Sequence, residues 1–462
     1  MDIKQYDLVV IGGGPGGYVA AIRAAQLGMK TVVIEKEKLG GTCLNVGCIP
    51  TKTLFQSAEI VQDIRNAAKY GIHAELRDVD FAAVMKRKDQ VVAQLVSGVT
   101  YLMKKNKIDV IKGEVYFQKA KQVVDVETGT AYEGKYILIC TGTENSVPPV
   151  AGINGVNIGD STQLLSMTSL PKSVVIMGGG VIGCELAHIL HSFGSEVTVI
   201  EMLDKLINNM DSSCSEQVKK QFLADGIHAM TGTRVIGIAD TQEGRKNISC
   251  ESNGTVKSIT ADYVLVATGR KPGTASLKLK EAGIYTEKGF IQVNDYMETS
   301  VPGVYAAGDV TGKTALAHAA SEGGVVAVEH MVGGVRKADF RNVPKVIFIQ
   351  PEIASAGMTE QEAKSAGYDV ITGMFDLSGN GKSVAMGKNN GFVKVVAEKE
   401  NHQILGFHMA GSSASEMVTL FTSLLEMEAV LEEVEYTTYP HPAVSEAVKE
   451  ACLDALGIAL NK

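Results

Sequence analysis

The sequence predicts an α/β protein in which two strand–turn–helix–strand units of the same build precede a C-terminal α+β region. The first unit runs from Tyr6 to Glu35 and the second from Ser173 to Glu201. In each unit, a Val- and Ile-rich run leads into a glycine turn. Small and apolar residues at helical spacing follow, and a second apolar run ends the unit, which is the pattern of a βαβ unit. After about residue 343, short strand-like segments and then helices follow, which indicates a region of different architecture.

The glycine turn of the first unit has the G-x-G-x-x-G spacing of a dinucleotide-binding turn. Gly12 permits a tight turn, Gly14 allows a pyrophosphate to approach the backbone, and Gly17 allows the helix to pack closely on the strand. The helix N-terminus offers unpaired N–H groups and partial positive charge to a phosphate. Glu35 ends the following strand, where a carboxylate can bind ribose hydroxyls.

The second turn repeats this arrangement with Gly178, Gly180, Gly183 and Glu201. A carboxylate at position 201 would repel a 2′-phosphate, and the adjacent Met202–Leu203 pair supplies no arginine, so NAD is favoured over NADP. The runs YILICTGT (136–143) and YVLVATGR (263–270) read as buried strands that close the two units. The sequence therefore predicts two Rossmann-like dinucleotide-binding domains.

Composition excludes several classes of protein. The formal net charge is −8 and no block of like charge is present, which argues against nucleic-acid binding, since that needs a basic face. No apolar run reaches the roughly 18 residues of a membrane span, and no export signal is visible at the start. Seven scattered cysteines suit a reducing compartment, so we expect a cytoplasmic protein.

Two of the cysteines, Cys43 and Cys48, lie close together in the segment GGTCLNVGCIPTK. Their spacing does not bring two thiols together on a regular helix. Asn45 and Gly47 allow a distorted turn that would do so, and Pro50 suits the start of a helix whose N-terminus lowers a thiol pKa. The pair is either two ordinary apolar cysteines or a redox-active disulfide beside a cofactor. The spacing differs from that of zinc ligands, so no metal site is predicted.

This segment resembles the active-site segment of the flavoprotein disulfide reductases, class I of the pyridine nucleotide-disulfide oxidoreductases. Its Leu-Asn pair and Ile-Pro-Thr-Lys tail are most similar to the dihydrolipoamide dehydrogenases within that family. Further motifs of the family follow in the family's order: GGGPGG, ATGRKP (267–272), VYAAGDV (304–310), LAHAASEG (316–323), QPEIASAGMTE (350–360), ILGFHMAGSSASE (404–416) and HPAVSE (441–446).

The resemblance implies three domains and two cofactors. Residues 1–146 and 271–342 would form an FAD-binding domain, residues 147–270 an NAD-binding domain, and residues 343–462 an interface domain for dimerisation. The residues implied for FAD are Gly12, Gly14, Gly17, Glu35, Thr42, Lys52, Val115, Thr141, Gly142, Asp309 and Ala317. Those implied for NAD are Gly178, Gly180, Gly183, Glu201, Val235, Gly269 and Arg270.

The resemblance also assigns roles around the cysteines. Cys48 would lie against the flavin as the charge-transfer thiol, and Cys43 would exchange with substrate. Lys52 would sit near the reactive flavin nitrogen, with Glu185 as its ion-pair partner. A carboxylate that merely stabilises a helix start is the alternative interpretation of Glu185.

The motif HPAVSE supplies the expected base. His441 lies between two prolines that restrict its backbone, and Glu446 is placed to fix its tautomer. A histidine suits the task because a thiol must lose its proton to become a nucleophile. The family places this histidine opposite the cysteines of a partner subunit, so the resemblance implies an obligatory homodimer. Tyr439 and Ala443 depart from the family's usual His-Ala-His-Pro and Thr at these places.

The implied activity is NAD⁺-dependent oxidation of dihydrolipoamide to lipoamide, on a lipoyl-bearing carrier such as an E2 or a glycine-cleavage H-type protein. Two alternatives stay open. One is a related flavin disulfide reductase that acts on another thiol or disulfide, although Cys452 alone in the tail argues against mercuric reductase and Glu201 against an NADP-linked reductase. The other is a non-catalytic FAD-binding subunit.

Overall fold

The computed structural model describes residues 3–462. The strands, in chain order, are β1 (Ile3–Ile11), β2 (Thr31–Glu35), β3 (Asp109–Lys112), β4 (Val115–Lys119), β5 (Gln122–Asp125), β6 (Ala131–Ile139), β7 (Thr143–Asn145), β8 (Ile158–Asp160), β9 (Ser173–Met177), β10 (Glu196–Ile200), β11 (His228–Met230), β12 (Arg234–Asp240), β13 (Lys246–Ser252), β14 (Thr255–Ala261), β15 (Tyr263–Val266), β16 (Arg270–Pro272), β17 (Thr286–Glu287), β18 (Phe290–Ile291), β19 (Val304–Ala306), β20 (Lys345–Ile347), β21 (Glu352–Gly357), β22 (Val370–Asp376), β23 (Phe392–Glu398) and β24 (Ile404–Gly411). The helices are α1 (Pro15–Gln26), α2 (Gly41–Val46), α3 (Cys48–Asn66), α4 (Phe81–Lys105), α5 (Ser161–Leu164), α6 (Val181–Phe193), α7 (Ser212–Asp225), α8 (Ala317–Met331), α9 (Glu360–Ser365), α10 (Gly381–Ala385), α11 (Ala414–Glu426), α12 (Leu431–Tyr436) and α13 (Glu446–Ala455).

The chain divides into two compact units. The first contains the described residues up to Thr53 together with Lys86–Ser146 and Gly269–Phe340. The second contains Leu54–Met85, Val147–Thr268 and Arg341–Lys462. The three-domain division stays a prediction, because the second unit holds both a parallel sheet and the C-terminal sheet.

The first unit is built on a seven-stranded sheet. Strands β3, β2, β1, β6 and β19 are parallel, and β5 and β4 continue beyond β6 in antiparallel pairing. Alternate residues of β1 point to opposite faces: Leu8 and Val10 pack with α1 and α8, whereas Val9 and Ile11 pack in a second core layer. A strand buried on both faces explains the continuous apolar run in the sequence.

The second unit contains a five-stranded parallel sheet in the order β11-β10-β9-β15-β8. Val174 and Ile176 of β9 pack on the layer that includes α6, and Val175 and Met177 face the layer that includes the antiparallel sheet β12-β13-β14. The second glycine turn joins β9 to α6, which repeats the arrangement of β1 and α1. The predicted pair of Rossmann-like units is thereby confirmed.

The C-terminal part of the second unit is an antiparallel sheet in the order β20-β21-β24-β23-β22. Its outer face is covered by α11 and α13, where Phe407 of β24 stacks on Phe421 of α11 with ring centroids 4.7 Å apart. The predicted α+β region is confirmed. No helix among residues 3–462 is both long and apolar enough to span a membrane.

The opposite face of this sheet carries a buried polar row. Ser355, His408 and Lys394 occupy matching positions on β21, β24 and β23. The Lys394 ammonium contacts Asp211 at 3.1 Å and Glu360 at 2.7 Å, and Ser355 bonds His408 Nδ1 at 2.6 Å. Burial lowers the pKa of His408 to about 4, so this histidine is neutral at neutral pH.

Candidate cofactor turns and redox site

The first glycine turn leaves no space for side chains where the backbone packs. Gly12 has a φ of 100°, and a Cβ there would lie 2.4 Å from the carbonyl oxygen of Cys140. A Cβ on Gly17 would lie 1.9 Å from the Gly12 carbonyl oxygen. Gly14 caps α1, and the nearest atom to a Cβ there is 3.8 Å away. The turn therefore exposes the N-terminal amides of α1 to a ligand, as a pyrophosphate site requires.

Glu35 is held beside this turn by backbone amides. Its Oε2 accepts a hydrogen bond from Gly13 N at 2.6 Å, and Oε1 accepts one from Glu37 N at 2.7 Å. A carboxylate has about four acceptor sites, so both oxygens can still bind ribose hydroxyls. The backbone two residues before Val115 lies beside Glu35, since Gly113 N donates to the Glu35 carbonyl at 3.0 Å. Val115 itself is buried in β4.

A second group of predicted FAD residues lies around the end of β6. The Thr141 hydroxyl is buried and has no hydrogen-bond partner among the described residues. Such a buried orphan is a group that a bound ligand can satisfy. Gly142 follows with a φ of 62°, Thr143 donates to Asp309 Oδ2 at 3.0 Å, and Ala317 begins α8. These features and the open α1 N-terminus fit an elongated dinucleotide such as FAD.

Arg270 donates hydrogen bonds to Thr143 and Asn145, which follow the predicted FAD residues at the end of β6. Its Nε donates to Thr143 Oγ1 at 2.7 Å, one terminal nitrogen to the Thr143 carbonyl at 2.6 Å, and the other to Asn145 Oδ1 at 2.6 Å. Gly269 and Arg270 belong to the first unit, whereas the other residues predicted for NAD belong to the second. The predicted NAD contact of these two residues stays a prediction.

The second glycine turn repeats the geometry of the first. Gly178 has a φ of 110°, and a Cβ there would lie 2.4 Å from the Ala267 carbonyl oxygen. A Cβ on Gly183 would lie 1.9 Å from the Gly178 carbonyl oxygen. Gly180 caps α6 with no atom within 4 Å of its Cβ position. The N-terminus of α6 is therefore open to a pyrophosphate.

Glu201 occupies the place that Glu35 has in the first turn. Its Oε2 accepts from Gly179 N at 2.6 Å and its Oε1 from Leu203 N at 2.8 Å. The neighbouring Met202 and Leu203 are exposed and uncharged. A carboxylate with these neighbours fits a ribose with free hydroxyls and disfavours a 2′-phosphate. Val235, also predicted for NAD, is buried in β12.

The cysteines meet because the helix breaks between them. Cys43 lies in α2, Gly47 interrupts the helix with φ −141° and ψ −111°, and Cys48 begins α3. The two thiols hydrogen-bond to each other. That hydrogen bond and burial raise the pKa of Cys43, while the Lys52 ammonium acts in the opposite direction. The pair is present as two thiols in the structure.

Two contacts place the cysteine segment beside the first glycine turn. A Cβ on Gly41 would lie 2.7 Å from Gly14 Cα, so α2 begins against the turn. Thr42, which follows, is exposed. Tyr18 of α1 lies near Cys43, since burial and then the charge of Cys43 raise the pKa of its phenol. Sequence reasoning missed Tyr18, and the only available signal was its position one turn after Gly14 on the helix.

Lys52 and Glu185 lie in different units. Lys52 is half-buried on α3, one turn after Cys48. Glu185 is buried in α6, where its Oε1 accepts a hydrogen bond from Phe348 N at 3.0 Å. Their ion pair stays a prediction.

The His441 side chain is 78% exposed and pairs with Glu446 at the start of α13. His441 Nδ1 lies 2.9 Å from Glu446 Oε1, and Glu446 Oε2 accepts from Ala443 N at 2.9 Å. Burial alone would raise the pKa of Glu446, but the bonds from Ala443 and His441 outweigh it, and the pKa lies below its usual value. Glu446 is thus a carboxylate at neutral pH that can hold His441 by Nδ1 and leave Nε2 for proton transfer.

Comparisons with known proteins show the family of this chain. Residues 6–324 match the pyridine nucleotide-disulphide oxidoreductase family, and residues 343–452 match that family's dimerisation domain, which supports a homodimer. Two Bacillus subtilis proteins, each called dihydrolipoyl dehydrogenase, are 41% identical over 99% and 98% of this chain and 99% of their own lengths. The solved structure of the HOCl-induced flavoprotein disulfide reductase RclA from Escherichia coli is 27% identical, with a TM-score of 0.86 over 97% of this chain and 99% of that chain.

Proposed function

The chain belongs to the pyridine nucleotide-disulphide oxidoreductase family, and from that premise we propose that it oxidises dihydrolipoamide to lipoamide with reduction of NAD⁺. The observation that carries the proposal is the pair of thiols, Cys43 and Cys48, in mutual contact beside the first dinucleotide turn. The choice of substrate follows the name of the curated relatives, dihydrolipoyl dehydrogenase.

The cofactors are FAD and NAD. FAD would be held by the turn at Gly12–Gly17, by Glu35, and by Asp309 with the unsatisfied Thr141 hydroxyl. NAD would be held by the turn at Gly178–Gly183 and by Glu201. When bound, FAD would supply the two-electron chemistry that links the reduced cysteine pair to NAD⁺.

The protein's own residues perform thiol–disulfide exchange. His441, held by Glu446, takes a proton from one thiol of dihydrolipoamide. The resulting thiolate attacks Cys43 of the oxidised Cys43–Cys48 disulfide, which releases Cys48 as a thiolate and forms a mixed disulfide with the substrate. The second substrate thiol loses its proton and attacks the substrate sulfur of that mixed disulfide, which releases lipoamide and the Cys43 thiol. Two protons and two electrons leave the substrate, and the electrons now reside on the cysteine pair. The Lys52 ammonium would favour the thiolate form of this pair, since its charge acts to lower the pKa of Cys43.

The dimer completes the site in this proposal. His441 is exposed in the single chain, and the segment that contains it belongs to the dimerisation domain. We propose that the histidine of one protomer serves the cysteines of the other. The physiological substrate would be a lipoyl group on a carrier protein of an E2 or glycine-cleavage H type, and the location would be the cytoplasm.

Steady-state kinetics test the proposal. Dihydrolipoamide, glutathione disulfide and Hg(II) would each be assayed with NAD(H) and with NADP(H). We expect dihydrolipoamide with NAD⁺ to give the highest kcat/KM, and Cys48→Ser to abolish that reaction while FAD stays bound. A preference for glutathione disulfide or Hg(II) would instead support a related disulfide reductase. Absence of thiol-dependent flavin reduction would support a non-catalytic FAD-binding subunit.

A further inference from the structure

The Asn380 side chain makes three hydrogen bonds, one of them to the segment that contains His441. The side chain is buried, with 3% of its surface exposed. Its Oδ1 accepts from both the backbone nitrogen and the hydroxyl of Ser383, each at 2.9 Å. Its Nδ2 donates to the carbonyl oxygen of Ala443 at 2.9 Å.

Half of this arrangement is an ordinary helix cap. Asn380 is the N-cap of α10, and the bond from Ser383 N to Oδ1 is the capping bond. A cap needs only a side-chain oxygen, so Asp or Ser would serve α10 equally well. The amide nitrogen has no role in the cap, and its bond to Ala443 requires a separate explanation.

Ala443 links Asn380 to the histidine. Its carbonyl accepts from Asn380 Nδ2 at 2.9 Å and, through a longer bond of 3.4 Å, from Glu446 N, while its N–H donates to Glu446 Oε2 at 2.9 Å. The other carboxylate oxygen of Glu446 holds His441 Nδ1 at 2.9 Å. Both polar groups of Ala443 are thus engaged, two residues after His441. Asn380 supplies the only one of these bonds that comes from outside the segment 441–446, so its loss would leave Ala443 bonded only within that segment and would loosen the carboxylate that orients the imidazole.

We propose that Asn380 is a positioning residue for the thiol-oxidation reaction, which acts through Ala443 and Glu446 to hold His441 in its proton-accepting orientation. The inference rests on the proposed function, because it assigns His441 the role of the thiol base. Small displacements of a base are costly in rate, since proton transfer requires hydrogen-bond reach to the substrate.

Asn380→Asp separates the two roles of the side chain. Aspartate has the same shape and still caps α10, but it cannot donate to Ala443, and its oxygen would face the Ala443 carbonyl. We expect kcat for dihydrolipoamide oxidation to fall roughly tenfold. Reduction of ferricyanide by NADH, which needs no thiol base, should keep its rate. Asn380→Ser, which also retains a capping oxygen, should behave in the same way if the aspartate variant folds poorly.

Ser383→Ala is the matched control. It removes one bond to Asn380 Oδ1 and leaves the Nδ2 bond to Ala443 in place. We expect it to keep the wild-type kcat for dihydrolipoamide. Equal loss in Ser383→Ala and Asn380→Asp would show that general destabilisation of α10 is responsible, and it would overturn the assignment.

A double-mutant cycle with His441→Gln tests the route of action. If Asn380 acts through His441, Asn380→Asp should cause no further loss in kcat once His441 has been replaced. A further tenfold loss in that background would contradict the inference. A wild-type enzyme with no dihydrolipoamide activity would contradict the proposed function, whereas an active wild type with an equally active Asn380→Asp variant would contradict only the role of Asn380.

Discussion

Replacement of Gly180 by alanine should leave the stability of the fold nearly unchanged while it weakens NAD⁺ binding. Gly180 has φ −75° and ψ −172°, a conformation open to any L-residue, and no atom lies within 4 Å of the position of its Cβ. Alanine therefore introduces no strain and reduces the conformational freedom of the unfolded chain. That effect stabilises a protein by about 0.4–1 kcal/mol. Gly180 is the N-cap of α6, where alanine is less favourable than glycine, and this loss offsets the gain.

The same methyl group would occupy the place that the turn leaves open to a pyrophosphate. A ligand that approaches the backbone there must move outward and loses its hydrogen bonds to the N-terminal amides of α6. We expect Kd and KM for NAD⁺ to rise at least tenfold, which corresponds to about 1.4 kcal/mol. Gly183→Ala provides the contrast. Its Cβ would lie 1.9 Å from the Gly178 carbonyl oxygen, about 1.5 Å short of ordinary contact, so the fold itself should lose about 3 kcal/mol or more.

Thermal unfolding and NADH titration of the FAD-loaded enzymes provide the assay. Gly180→Ala should unfold within about 3 °C of the wild-type temperature, with full flavin content and weakened nucleotide binding. Gly183→Ala should unfold earlier. Wild-type affinity for NADH in Gly180→Ala would refute the placement of the pyrophosphate at this turn. A destabilisation as large as that of Gly183→Ala would show that the Cβ position of residue 180 is not open.

Three further predictions concern charged groups with hydrogen-bonded partners. Lys394→Met leaves the buried carboxylate of Asp211 without its ammonium, so denaturant titration at pH 7 should find the free energy of unfolding lowered by about 3–5 kcal/mol. Burial alone would raise the pKa of Asp211, but His408 and its other neighbours outweigh burial and lower the pKa. The stabilising contribution of Asp211 is therefore present above about pH 4 and is lost as the pH falls further. Acid titration of the wild type and of Asp211→Asn should measure this contribution. Arg270→Met removes both bonds to Thr143 and should increase FAD loss on dialysis while KM for NAD⁺ is unchanged in the fully loaded enzyme.

Each of these predictions has a contradicting result. A Lys394→Met variant as stable as the wild type would show that the buried pair contributes nothing net. An Asp211→Asn variant with the same acid dependence as the wild type would assign that dependence to other carboxyls. A rise in KM for NAD⁺ in flavin-saturated Arg270→Met, with flavin retention unchanged, would support the original prediction of an NAD contact for Arg270.

The parts of the site that could be predicted from sequence are those encoded by contiguous residues. Gly12 and Gly17 lie on one short turn, where a tight backbone and close helix packing leave space for no other residue. Gly47 lies between the two cysteines and breaks the helix that would otherwise separate them. The activity and the names of the cofactors depended in addition on resemblance to a family, because turn geometry alone does not specify a reaction.

Hydrogen bonds between residues that are distant in the sequence could not be predicted from it. Asn380 is a helix cap in the structure, and nothing in the order of residues connects its amide nitrogen with Ala443. Arg270 follows the strand that closes the second unit, yet its guanidinium binds Thr143 of the first. Lys394 lies between two valines in an apolar strand, and only the register of β23 with β24 places it beside His408.

The sequence by itself therefore determined the two glycine turns, the acid after each, the thiol pair and the fold class, because local backbone geometry and hydrophobic periodicity are properties of neighbouring residues. The tertiary structure decided which distant groups hold these parts in place. Buried donors and acceptors must find partners, and the partner of each is whichever group the packing of strands and helices brings within hydrogen-bond distance. The bond from Asn380 to Ala443 is an example, since it exists only once α10 has packed beside the segment that contains His441.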